Sequence, residues 1–169
     1  VGDLERWEEQ WTLEGHTRSV WAVEMTPDGY RAVSASGDRT LKVWDLEGGR
    51  ELGTLKGHTQ DVKAVKMTRA GSRVISASRD GTLKVWDISD ANLDSDVELP
   101  KLNEHSQEVN AVTLTNNASR AISASRDQTI KVWKLSDGNR ESEPRTLKKH
   151  SESVSAVAVT PNGKRAISG

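Results

Sequence analysis

Cysteine and phenylalanine are both absent from the 169 residues, and tyrosine occurs once. Without cysteine there is no disulfide, no thiolate metal site and no thiol nucleophile; the redox compartment is left open, with a cytoplasmic location the expectation. No apolar run approaches the roughly 20 residues that cross a bilayer. The opening residues, Val1, Gly2, Asp3 and Leu4, carry no secretion signal and no initiator Met. One-signed charge is missing too: 24 Lys and Arg stand against 25 Asp and Glu, so nothing in the balance draws a nucleic acid or an anionic membrane. Glycine never forms a G-x-x-x-x-G-K or a G-x-G-x-x-G, so no nucleotide and no other cofactor is expected. Tryptophan is the exception among the aromatics, with six copies that point to a repeat.

Three near-copies, AVSASGDRTLKVWDLE at 32–47, VISASRDGTLKVWDIS at 74–89 and AISASRDQTIKVWKLS at 121–136, carry that repeat. Trp44 and Trp86 are 42 positions apart, and Trp86 and Trp133 are 47 apart. His16, His58, His105 and His150 are separated by 42, 47 and 45. After each His comes a short β-branched run, beginning at Val20, Val62, Val109 and Val154, that reads as a strand. Turn residues follow at 27–29, 69–71, 116–117 and 161–163, then a second strand from Arg31 to Ser36 and its counterparts. A third strand, Thr40 to Trp44 in the first copy, alternates Lys42 with apolar neighbours, and a weaker fourth, Leu52 to Leu55, precedes the next His. Helical period is confined to the stretch from Asp3 to Trp11.

Gly15-His16, Gly57-His58, Trp44-Asp45 and Trp86-Asp87, with Asp38 and Asp80 between them, resemble the WD40 repeat, and the resemblance covers essentially the whole chain. It implies an all-β fold, a WD40-type β-propeller of four-stranded antiparallel blades. Glu104 and Lys149 replace Gly before the third and fourth His, and Lys134 replaces Asp after the third Trp. The expected division is the end of a preceding blade at 1–15, full repeats at 16–57, 58–104 and 105–149, and a partial fourth at 150–169. Val1 to Leu4 align with Val43 to Leu46, and Ala166 to Gly169 with Ala121 to Ala124, so both ends fall inside blades. The expectation is a fragment of a longer propeller; the rival is that the terminal half-blades complement each other. Unpaired blade edges also offer a route to self-association.

His16, Ser34 and Asp38 are the elements of a nucleophilic triad. They recur, with Trp44, as His58, Ser76, Asp80 and Trp86 and as His105, Ser123, Asp127 and Trp133, and a catalytic set is not needed three times. The resemblance implies instead a hydrogen-bonded network that fixes the turn and joins strands within each blade. No catalytic residue is therefore assigned, and four His set one per repeat, without a carboxylate cluster at ligand spacing, give no metal site.

The resemblance places partners on the wide face, at loops entering the first strand and at the turn before the Asp. Those positions hold Arg18, Trp21, Gln60, Lys63, Arg79, Glu108, Asn110 and Arg126. Trp21 stands out, because its counterparts are Lys63, Asn110 and Ser155. The insertions at 90–98 and 137–143 read as solvated loops, the first lacking the Gly and distal Glu of a calcium loop. Lys42, Lys84 and Lys131 read as a solvated stripe. The function expected is a non-catalytic interaction scaffold or sensor for a protein or peptide partner, part of a multidomain regulatory protein similar to the self-similar bacterial WD40 proteins. A propeller enzyme and a nucleic-acid-binding propeller are the alternatives.

Overall fold

A computed structural model describes residues 2–3, 8–89, 93, 102, 105–135 and 143–169. Fifteen strands are named within it, and among the described residues there is no helix. The helical reading of 3–11 is thereby corrected: β1 (Gly2–Asp3) and β2 (Glu8–Glu9) pair as antiparallel strands.

The remaining strands form one sheet per repeat. The first joins β3 (Val20–Met25), β4 (Arg31–Ser36), β5 (Leu41–Asp45) and β6 (Arg50–Leu55) in sequence order. The second joins β7 (Val62–Met67), β8 (Arg73–Ser78) and β9 (Leu83–Asp87), with a single Leu83–Leu102 bridge at its outer edge. The third joins β10 (Val109–Leu114), β11 (Arg120–Ser125), β12 (Ile130–Lys134) and β13 (Arg145–Leu147). The fourth is the hairpin of β14 (Val157–Val159) and β15 (Ala166–Ser168).

The second strands of the first three sheets are buried along nearly their whole length, and they are accordingly apolar or small rather than alternating. Each blade has one face bearing the Trp and the first-strand valines, and an opposite face bearing Val33, Ile75 or Ile122. Between the first two blades, Val33, Val43 and Leu55 meet Val62, Val65 and Trp86. Between the second and third, Ile75 and Leu83 meet Val109, Val112 and Trp133. Between the third and fourth, Ile122 and Ile130 meet Val154. The core is therefore a row of similar junctions.

Two sequence expectations need correction. Leu93, inside the first insertion, is buried against Gly53 and the first junction rather than solvated; the rest of 90–98 and of 137–143, apart from Glu143, lies outside the described residues. The third-strand lysines are not a solvated stripe either: Lys84 and Lys131 are 4 % and 8 % exposed. They share the Trp face with Ser76 and Ser123, their cross-strand neighbours, and that face is covered by the preceding blade. Their stems lie along the sheet while the ammonium groups reach polar atoms at its rim: Lys131 donates to Thr146 at 3.0 Å, and Lys42 to Glu51 at 2.6 Å and Thr54 at 2.9 Å.

Candidate functional site

The recurring polar set is brought together in each of the first three blades. Asp38 is ionised and accepts only, so His16 Nδ1–H donates to its Oδ2 at 2.7 Å, which leaves Nε2 as an acceptor for the Ser34 hydroxyl, also at 2.7 Å. The same Ser34 Oγ accepts from Trp44 Nε1 at 2.8 Å. In the second blade the corresponding distances are 2.9, 2.7 and 2.8 Å, and in the third 2.7, 2.7 and 2.8 Å. In the fourth, His150 reaches Ser168 at 2.9 Å.

Burial disfavours the Asp38 charge, but donors from Thr40, His16 and the Thr17 backbone outweigh it and hold the carboxyl well below the usual carboxylate range. Asp80, with His58, Thr82 and Thr59, and Asp127, with Thr129, His105 and Ser106, are lowered in the same way against the same penalty. The Ser-His-Asp geometry is that of a charge-oriented nucleophile, but Ser76 and Ser123 are 0 % exposed and each is held by both His and Trp. Those two hydroxyls are closed off from solvent, whereas Ser34, 5 % exposed, lines with His16 and Trp44 a cleft on the first blade.

Sequence reasoning overlooked two members of the network. Ser36, Ser78 and Ser125 are fully buried, donate to the carbonyls of Arg18, Gln60 and Gln107, and accept from the backbone N–H of the following Asp. Thr40, Thr82 and Thr129 close the turn by donating to the Asp. The signal was present, since Ser-x-Ser-x-Asp-x-Thr is constant over three copies, but a search for triads passes over it.

At the loop end of the blades the first strand carries a bulge at the same place each time, between Val20 and Ala22, Val62 and Ala64, and Val109 and Ala111. The extra residues are Trp21, Lys63 and Asn110, and the bulge aims them out of the sheet. Lys63 Nζ lies 3.5 Å from the Trp21 ring centroid, linking the first two blades, and Trp21 keeps half of its surface exposed. Arg79 donates to Glu108 at 2.7 Å across the next junction, and Arg126 approaches the same carboxylate at 3.5 Å. Asn110 donates to Ser153 and to the Val154 carbonyl across the third. Arg18 and Gln60 are exposed beside these bridges. The eight positions thus occupy one rim, where several of them fasten adjacent blades.

The profile of the family described as WD domain, G-beta repeat matches residues 7–45, 49–87, 97–134 and 141–169. The chain belongs to the WD-repeat family. Each match to a full repeat ends at the Trp and the residue after it and begins in or before the outer strand of the previous blade, so 49–87 contains β6 together with β7, β8 and β9. WD repeats are in general protein-interaction scaffolds without enzymatic activity. No helix among the described residues is long and apolar enough to cross a membrane.

Proposed function

We propose that this WD-repeat chain is a non-catalytic scaffold or sensor module of a larger cytoplasmic regulatory protein, and that it holds a protein or peptide partner on the loop rim around Trp21. One observation carries the reading: a half-exposed indole is held in place by a bulge, by Lys63 over its ring and by a glycine beneath it. A Cβ at Gly37 would meet Trp21 Nε1 at 3.2 Å, and the other two copies carry Arg79 and Arg126 there. An ordered, amphipathic aromatic beside Arg18, Gln60 and Lys63 is the side chain from which interfaces draw most of their energy, because little rotamer entropy remains to be lost. The buried His, Ser, Asp and Trp sets then serve to hold the rim rigid.

Selection of peptides from a displayed library on the folded chain tests this. Trp21→Ala is expected to weaken the selected ligands at least tenfold with an unchanged melting temperature, and hydrogen-exchange protection by the ligand should fall on residues 17–21 and 59–63. Ligands that bind Trp21→Ala as well as the parent, or protection on the opposite end of the blades, would overturn it.

A further inference from the structure

Acidic and basic residues balance over the chain, 25 against 24, but not at the junction between the first two blades. Three cations gather there around the turn that joins β4 to β5. A Cβ at Gly37, in that turn, would lie 3.5 Å from the Cβ of Arg18 and 3.2 Å from the indole nitrogen of Trp21, over whose ring Lys63 is placed. Arg39 follows two residues later. In the second blade its counterpart is Gly81, where a Cβ would meet the carbonyls of His105 and Gln107 on the next blade at 3.0 and 3.4 Å. Arg39 therefore leans over the matching residues 58–60 of the second blade, on the same rim.

The carboxylates that would offset these cations are occupied or absent. At the second junction Glu108 is held by both Arg79 and Arg126. At the first, Ser19 stands where the next two blades carry Asp61 and Glu108, and Asp61 approaches Lys63 at 4.0 Å. Arg18 and Arg39 are exposed and make no ion pair among the described residues. Exposure at these places belongs to the rim of every full blade, since Gln60 and Gln107, in the place of Arg18, and Gln128, in the place of Arg39, are exposed as well. Arg39 is also strained. Its φ of 74° is left-handed, and no side-chain contact among the described residues offsets the cost that Gly81 avoids.

We propose that the partner on the Trp21 rim is an acidic peptide, its carboxylates taken by Arg18 and Arg39 beside the Gly37 turn and a neighbouring apolar residue laid on Trp21. This rests on the reading of that rim as the docking site and adds the chemistry of what docks. A guanidinium binds a carboxylate through two parallel N–H donors, a pairing stronger than a neutral hydrogen bond. Separate carboxylates fit better than one phosphate, because the backbone N–H groups from Gly37 to Thr40 are all engaged within the blade and form no anion nest. Asp61 and Glu108, set among the cations, disfavour a continuous polyanion such as a nucleic acid strand.

Peptides selected from a displayed random library on the folded chain are the probe. They are expected to carry an excess of Asp and Glu next to an aromatic or aliphatic residue, and to bind more weakly as salt rises. Arg18→Gln and Arg39→Gln should each weaken them about tenfold, the loss of a charge-assisted bond. Melting temperature should not fall, because Gln60, Gln107 and Gln128 already stand at these places in other blades. Exchanging the peptide's acids for amides should cost as much, and should cost little more in the Arg variants. Peptides that need Trp21 but show no acidic excess, and bind both Arg variants as well as the parent, overturn the acidic partner and leave the Trp21 rim standing. Acidic peptides that lose affinity in the Arg variants yet bind Trp21→Ala unchanged keep the carboxylate site and overturn the role of Trp21. Phosphorylated peptides or an oligodeoxythymidylate that bind more tightly than the selected peptides overturn the assignment to carboxylates. A library that yields no ligand overturns both readings.

Discussion

A carboxylate that accepts from His Nδ1–H, a Thr hydroxyl and two backbone N–H groups cannot be removed without stranding all of them. Asp80→Ala leaves His58, Thr82 and the Thr59 N–H without that partner, and should lower stability by about 3 kcal/mol, read as a fall in melting temperature. Acid acts on the same groups. Asp38, Asp80 and Asp127 titrate below the usual carboxylate value in the folded chain, so between that value and the lowered one the unfolded chain binds more protons than the folded one. Their stabilisation is complete above about pH 4–5 and is lost as pH falls below it. Melting temperature should decline steeply below that point, and less steeply in Asp80→Asn. The residue after each Asp adds a backbone test. Arg39 and Gln128 sit at φ 74° and 67°, while the matching Gly81, at 83°, bears no such strain. Gln128→Gly is expected to stabilise the fold by about 0.5 kcal/mol, the left-handed strain relieved exceeding the added freedom of the unfolded chain. Gly81→Ala should cost about 1–2 kcal/mol, since its Cβ would also meet the His105 carbonyl at 3.0 Å. Urea titration distinguishes these signs.

At the scale of strands and turns, the parts legible in the sequence were those that repeat. Val20 to Met25 and Arg31 to Ser36 coincide with β3 and β4, because β-branched runs between turn residues leave little alternative. What escaped depends on packing that no single copy displays. A lysine such as Lys84, alternating with Leu83 and Val85, looks solvated until the preceding blade covers its face, and Leu93 looks like part of a polar loop until it meets Gly53. The bulge at Trp21, Lys63 and Asn110 has no composition signal at all, yet it decides where the candidate recognition residues point. Gly37 is the testable element here. An Arg at that position, as in the second and third copies, would occupy the space under the indole. Gly37→Arg is expected to move the Trp21 indole N–H resonance and to weaken rim ligands about as much as Trp21→Ala, with the sheet amides unmoved. An unshifted indole resonance would mean that the glycine does not set the ring.

For the whole molecule, stability belongs to the junctions, because each blade touches chiefly its sequence neighbours and the apolar clusters fall between sheets. Equivalent residues should then differ in weight according to whether a following blade covers them. Ile75 is closed in between the second and third blades, while Ile167 holds the same place on a bare face. Ile75→Ala should cost about 2–5 kcal/mol through lost transfer energy and the cavity left behind. Ile167→Ala, a surface change, should stay within about 0.5 kcal/mol. Amide exchange should follow the same order, slowest in β8, whose blade is covered on both faces, and fastest in β14 and β15.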